Sequence, residues 1–237
     1  VAKRAKITAA TYTQMYQESI NTPEAFWAKH GKRINWIKPY TQVKDVDYAD
    51  NARIRWFYDG TLNACYNCID RHLPARASQT ALIREGDDPN DSSSITYAQL
   101  KDEVCKLANA LKSRGVKKGD RITIYMPMIP EAVYAMLACA RVGAVHSVVF
   151  GGFSPTSLKD RILDCDSTVV ITADEGLRGG KKIPLKANTD EALKNCPGVH
   201  TVIVYKRTGS TINWDAQRDI WYSEICSKQS TDCPCEE

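Results

Sequence analysis

Two glycine-bearing turns carry the residues of this chain best suited to hold an anionic ligand. The first lies in Val145–Pro155, VHSVVFGGFSP. Val145 to Phe150 is a β-branched apolar run, the pattern of a buried parallel strand. Gly151 and Gly152 follow at once, and Ser154-Pro155 supplies a favoured N-cap and a favoured first helical residue. Glycine lets a ligand come close to backbone, and a helix N-terminus offers free N–H groups. The second turn, Ala173–Lys182, sets Asp174, Glu175, Arg178, Lys181 and Lys182 around Gly176, Gly179 and Gly180. Arg can hold a phosphate with two parallel bonds, and Lys adds a mobile point charge. Both turns leave the carboxyl ends of consecutive strand candidates, where ligands sit in doubly wound sheets. If those strands are neighbours, three cations and two glycine turns face one crevice. The plainer alternatives are a tight strand-to-helix turn and a solvated basic loop. Neither turn is a GxGxxG or Walker A fingerprint.

Cys65 and Cys68 stand in C-x-x-C spacing and Cys233 and Cys235 in C-x-C spacing. Zinc would need both pairs, and no histidine stands at ligand spacing from either. A redox C-x-x-C normally opens a helix just after a strand, whereas this one sits within a helical pattern, Leu62 to His72. The thiols read as structural or incidental, and a zinc-stabilised module stays as the alternative that metal analysis would settle.

The elements that must position these residues follow from periodicity. Thr11 to Ile20 and Pro23 to His30 read as short helices, the second with Thr22 as cap. Ile34 to Tyr40 and Arg55 to Phe57 read as extended chain. Residues 1–72 thus read as an N-terminal extension that wraps a larger body and has no core of its own. Residues 73–237 read as an α/β subdomain. Ala81 to Ile83 is a strand followed by a polar turn, Gly86 to Ser94. Thr96 with Gln99 makes a capping box for a helix carrying Leu100, Val104, Leu107 and Leu111 and closed by Gly115. Strands then alternate with helices: Arg121 to Tyr125, a helix from Pro130 to Gly143, the Val145 strand, a helix from Pro155 to Cys165, Thr168 to Thr172, a helix from Pro184 to Asn195, and Val199 to Tyr205. That alternation predicts βαβ units in a mainly parallel, doubly wound sheet with helices on both faces. Gly209 to Cys226 adds a polar turn and a short Trp-rich helix, and the last residues read as an unstructured tail.

With 237 residues the chain can bury a substantial core, and 43% apolar with 25% charged residues is globular composition. A net charge of +4 suits anionic small molecules but is too small and unclustered for nucleic acid. No apolar run has the length of a membrane span, and no signal-peptide pattern opens the chain. Nine cysteines, an odd number, suit reduced thiols in the cytoplasm better than a disulfide framework. Both ends read as cuts.

The blocks WFYDGTLNACYNCIDRHL, MPMIPEAVYAMLACARVGAVHSVVFGGFSP, ITADEGLRGGKKIPLK and VIVYKRTG resemble the AMP-forming acetyl-coenzyme A synthetases of the adenylate-forming superfamily. The resemblance spans Tyr12 to Tyr222. It implies a ligase that makes acetyl-AMP and pyrophosphate from acetate and ATP, then acetyl-CoA and AMP by thiol attack. It places Phe150, Gly151 and Gly152 against coenzyme A, and gives Arg178, Gly179, Gly180 and Lys181 the 3′-phosphorylated ADP end. The last of these is Arg in the family and Lys here, which keeps the charge and loses the fork. The family's Ser/Thr- and Gly-rich ATP phosphate loop is not present and is expected just beyond Glu237. The acetate pocket, the metal-binding glutamate motif and the adenylation lysine are likewise missing. The resemblance therefore implies ATP and Mg2+ for a longer enzyme, with their sites outside this chain, and assigns no catalytic residue and no metal ligand here. A free-standing CoA- or nucleotide-binding module is the competing reading. Oligomeric state and acyl-chain length are not encoded in these features.

Overall fold

The computed structural model describes residues 4–49, 52–88 and 90–237. Residues 1–3 and 50–51 of the expected extension and Pro89 of the expected polar turn lie outside the described residues. The chain divides into two compact units, one running to Leu62 and including Glu237, the other Asn63–Glu236.

In the first unit, α1 (Ala9–Asn21) is capped by Thr8, whose hydroxyl accepts from the Thr11 N–H. α2 (Pro23–Gly31) starts on its proline as expected, but the Thr22 hydroxyl donates back to the Glu18 carbonyl at the end of α1 and does not cap α2. β1 (Lys44–Asp47) and β2 (Arg53–Trp56) pair antiparallel. The rings of Trp36, Tyr40 and Phe57 meet with centroids 4.7–5.7 Å apart. Glycine is required beside them, because a Cβ on Gly60 would fall 2.9 Å from the Trp36 ring. These three half-buried rings pack together in a stretch whose sequence shows no period.

The second unit opens with α3 (Ala64–Cys68), a 3₁₀ turn at Asp70–His72, and α4 (Leu73–Arg76). The single helix expected over Leu62 to His72 is thus broken at Ile69, whose backbone (φ −123°, ψ −70°) leaves the helical region. β3 (Thr80–Glu85) and β4 (Ser92–Thr96) form an antiparallel hairpin, so Ser92 to Ser94 of the expected polar turn lie in a strand. α5 (Tyr97–Ser113) begins on the complete Thr96–Gln99 capping box. Then follow β5 (Arg121–Tyr125), α6 (Pro130–Arg141), β6 (Val145–Val148), α7 (Pro155–Asp164) and β7 (Val169–Ala173). The hairpin β8 (Gly176–Arg178) and β9 (Lys181–Ile183), α8 (Leu185–Leu193), β10 (Thr201–Tyr205), β11 (Asp219–Trp221) and α9 (Tyr222–Ser227) complete the unit.

Five strands make one sheet in the order β11-β10-β7-β5-β6, and every pairing is parallel. Ile122, Ile124, Val169, Ile171 and Ile203 face α5, α6 and α9. Tyr125, Val170, Val202 and Val204 face α7 and α8. Burial on both faces explains why β7 and β10 are continuous apolar runs.

Three expectations are corrected. Val145 to Phe150 is not a buried strand: β6 is the sheet edge, pairs only with β5, and leaves Val145, Val148 and Phe150 more than half exposed while Val149 is buried. β6 and β7 are not neighbours, because β5 lies between them. The C-terminal segment has no helix or strand after α9 but is not loose. Asn109 donates to the carbonyls of Ser230 and Asp232, Lys101 to that of Thr231, and the Glu236 N–H to that of Arg141. The fifth strand, β11, was hidden in the Trp-rich stretch because three residues carry no period.

Candidate functional site

The turn after β6 is built by short-range bonds. The Val149 N–H donates to the Ile124 carbonyl (2.8 Å), extending the ladder one step, and the Phe153 N–H closes back on the Phe150 carbonyl (2.9 Å). The Tyr125 hydroxyl fixes the Phe153 carbonyl (2.8 Å) and itself receives the Asn188 amide (3.2 Å). Ser154 then caps α7, its hydroxyl accepting from the Ser157 N–H, as its sequence position requires. Phe150 and Phe153 pack edge to face, 5.7 Å apart.

The basic turn is a β-hairpin and not an irregular loop. Arg178 pairs with Lys181 across the two glycines. Gly179 (φ +55°) and Gly180 (φ +72°) both take the left-handed conformation that a two-residue type I′ turn demands. A Cβ on either would meet nothing within 4 Å, so backbone conformation alone selects glycine here.

The two turns meet even though β5 separates their strands. The Arg178 guanidinium lies 4.9 Å from the centroid of the Phe150 ring, in cation–π range. A Cβ on Gly152 would fall 3.1 Å from Arg178 Nη1 and 2.6 Å from the Phe150 ring edge, so the missing side chain leaves both groups their place. Phe150, Gly152 and Arg178 thus share one surface, and Phe150 and Arg178 stand in solvent. Lys182 is drawn away to Glu175 (3.5 Å), whose carboxyl is held below its ordinary pKa by hydroxyls of Ser210 and Thr208. Arg178 and Lys181 have no ion-pair partner among the described residues. Two of the three expected cations therefore remain for a ligand. Asp174, counted among the loop charges, is buried and accepts from the N–H groups of Arg207, Thr208 and Gly209. It ties down the end of β7 and takes no part in the surface.

Leu185, the first residue of α8, underlies both turns. A Cβ on Gly151 would come 3.6 Å from Leu185 Cδ2, and one on Gly176 3.4 Å from Leu185 Cδ1. α8 is in turn anchored by a buried ion network that the sequence reading missed. Lys186 Nζ holds Asp190 (2.7 Å), Asp219 (2.8 Å) and the Asn213 carbonyl (2.9 Å). Arg218 bridges the same two carboxylates, at 2.8 and 2.9 Å. The i,i+4 spacing of Lys186 and Asp190 was the available signal.

A family model described as AMP-binding enzyme matches residues 69–234, and one described as acetyl-coenzyme A synthetase N-terminus matches residues 12–68. The chain belongs to the AMP-binding enzyme family. It is 64% identical over 236 residues to the acetyl-coenzyme A synthetase of Parvibaculum lavamentivorans, covering 99% of this chain and 36% of that protein. It is 62% identical to the acetyl-coenzyme A synthetase of Bradyrhizobium sp. (strain ORS 278), with the same coverage. Its structure superposes on acetoacetyl-CoA synthetase from Streptomyces lividans with a TM-score of 0.83 at 26% identity, over 100% of this chain and 36% of that one. The chain spans about a third of the length of these relatives.

The family implies Mg2+, which the donors this chain brings together do not suit. Among the described residues, Cys65, Asp70 and Cys235 bring donor atoms within 4.8 Å of one another. Mg2+ requires oxygen ligands in octahedral array, and two thiols with one carboxylate do not provide them. Asp70 is moreover already gripped by both terminal nitrogens of Arg141, at 2.8 and 2.9 Å. The zinc alternative does not find its four thiols together among the described residues either: Cys65 and Cys235 come together, while Cys68 is exposed outside the group.

Proposed function

We propose that this chain supplies one wall of the coenzyme A site of an AMP-forming acetyl-CoA synthetase, an enzyme that converts acetate, ATP and CoA to acetyl-CoA, AMP and pyrophosphate through acetyl-AMP. The observation that carries the reading is the meeting of Arg178 with Phe150 and Gly152 beside an unpaired Lys181. An exposed guanidinium steadied on an aromatic face keeps its fork of donors free for a phosphate. The names of the relatives supply the rest of the reading.

In this reading Arg178, Gly179, Gly180 and Lys181 hold the 3′-phosphorylated ADP end of CoA, while Phe150, Gly151 and Gly152 lie along the remainder of the molecule. Residues 1–72 act as an N-terminal extension to the α/β body of residues 73–237. ATP, acetate and Mg2+ are handled by residues outside this chain. The partners are small molecules and not nucleic acid or membrane, since a net charge of +4 is spread through the sequence. No described helix is long and apolar enough to cross a membrane. Free cysteines suit a cytoplasmic location.

The 237-residue chain alone is expected to show no acetate-dependent pyrophosphate release. Release from a preparation free of longer enzyme would overturn the placing of adenylation chemistry elsewhere.

In a full-length enzyme carrying this chain, Arg178→Ala removes a charge-assisted phosphate contact of roughly 1.5–3 kcal/mol. CoA binding should weaken about tenfold to a hundredfold. Lys181→Ala should do less, because an exposed ammonium is well hydrated and screened. Acetate-dependent ATP–pyrophosphate exchange should be unchanged in both, and Arg178→Ala should discriminate less against dephospho-CoA. Exchange impaired as badly as thioester formation would assign the hairpin to the fold or to ATP.

A further inference from the structure

The C-x-x-C and C-x-C motifs have no part in the CoA reading, yet the fold joins one thiol of each. Cys65, in the first turn of α3, is fully buried, and Cys235 is partly exposed in the docked C-terminal segment. Their sulfurs and the Asp70 carboxylate lie within 4.8 Å of one another. Cys235 Sγ is 3.9 Å from Asp70 Oδ2, and Arg141 Nη1 is 3.5 Å from Cys65 Sγ. The Glu236 N–H bonds the Arg141 carbonyl (2.8 Å) and the Asn63 amide bonds the Glu236 carbonyl (2.7 Å), which holds Cys235 at this spot. The closeness of Cys65 lowers the Cys235 thiol pKa, against the opposing pull of burial and of Asp70, and Cys235 with burial raises that of Cys65. A partly exposed thiol with a second, buried thiol close beside it is the arrangement of an attacking and a resolving cysteine.

We propose that Cys65 and Cys235 form a reversible oxidation site, at which a hydroperoxide converts the two thiols to a disulfide. The Cys235 thiolate attacks the terminal peroxide oxygen. The O–O bond breaks, the leaving alkoxide (hydroxide, for hydrogen peroxide) takes up a proton, and Cys235 becomes a sulfenic acid. The Cys65 sulfur then attacks the Cys235 sulfur. The S–O bond breaks, and the departing hydroxide leaves as water with the Cys65 proton. Overall two thiols lose two electrons and two protons to one hydroperoxide, giving a disulfide, an alcohol or water, and one water. From within 4.8 Å the sulfurs must close to about 2 Å. The bond would fasten the C-terminal segment to α3.

The test treats the folded 237-residue protein with hydrogen peroxide, blocks remaining thiols, digests it and maps cross-linked peptides. Free thiols should fall by two from nine, with a Cys65–Cys235 peptide that dithiothreitol reverses. Cys65→Ser should leave a Cys235 sulfenic acid that dimedone traps. Cys235→Ser should lose both the cross-link and that label. The proposal is overturned if the Cys65–Cys235 peptide forms only after unfolding, or if exposed Cys68 takes up the oxidant while Cys235 stays unlabelled. The peptide map of the unsubstituted protein decides the matter even where a variant folds poorly.

Discussion

Arg141→Met is expected to destabilise this protein by about 3–5 kcal/mol, the loss seen when one partner of a buried ion pair is removed. The Arg141 side chain is only 3% exposed. Its two terminal nitrogens hold Asp70, and its Nε donates to the Cys233 carbonyl in the C-terminal segment. Burial alone would lower the guanidinium pKa; the hydrogen bond to Asp70 more than offsets that, so the group stays charged. Without it, the Asp70 carboxylate, 18% exposed, loses both guanidinium bonds, and the Cys233 carbonyl loses its nitrogen donor. Urea unfolding should show a lower midpoint at unchanged slope. Adding Asp70→Leu should recover part of the loss, because the orphaned charge is then gone. A loss below about 1 kcal/mol would mean that water reaches Asp70 freely, as at an exposed pair.

Lys186→Met should cost a similar amount, about 3–5 kcal/mol, and should also change the acid limb of stability. Asp219, one of its partners, has a side chain with no exposure. Burial pushes the Asp219 carboxyl up, but hydrogen bonds from Arg218, the Asp215 N–H and Lys186 together hold it below its ordinary value of 3.8. A carboxyl lowered in the folded state contributes stability that is present above the unfolded value and is lost as pH falls through the folded one. Deleting Lys186 raises the folded value, so acid unfolding should begin at a higher pH than in the parent. Far-UV circular dichroism against pH, beside a urea series at neutral pH, measures both effects. An acid limb that did not move would mean that Arg218 alone holds the Asp219 charge.

The elements specified by neighbouring residues were legible in the sequence. The Thr96–Gln99 box, the Ser154-Pro155 start and the β/α alternation each depend on contacts a few residues long, and the structure has them all. The position of β6 was not legible. VHSVVF has the composition of a buried strand, and its exposure depends on which strands stand beside it, a long-range fact that apolar runs do not encode. The candidate site was half legible. Arg178 and Gly152 could be picked out by type, but the assumption that adjacent strands would bring them together was mistaken. They meet because both turns lie against the residues just after β5, Gly151 beside the Met126 carbonyl and Gly176 beside Pro127. The docked tail was illegible for the same reason, since its carbonyls find their donors on α5 and α6.

The all-parallel sheet also sets the order in which this surface can be made. Each of its ladders joins segments that a crossover must first bring round, so none can zip up from a tight turn. The β8–β9 hairpin needs only Gly179 and Gly180 to reverse the chain, and a hairpin forms in about 1–10 μs. Folds ruled by distant pairings take from milliseconds towards seconds. Two strands are too few to persist by themselves, so the hairpin will form and melt many times before the sheet sets. The turn that carries Arg178 is an early and local product of the chain. Its aromatic counterpart at Phe150 gains a fixed place only when β6 has docked, so the cation is presented long before there is anything for it to face.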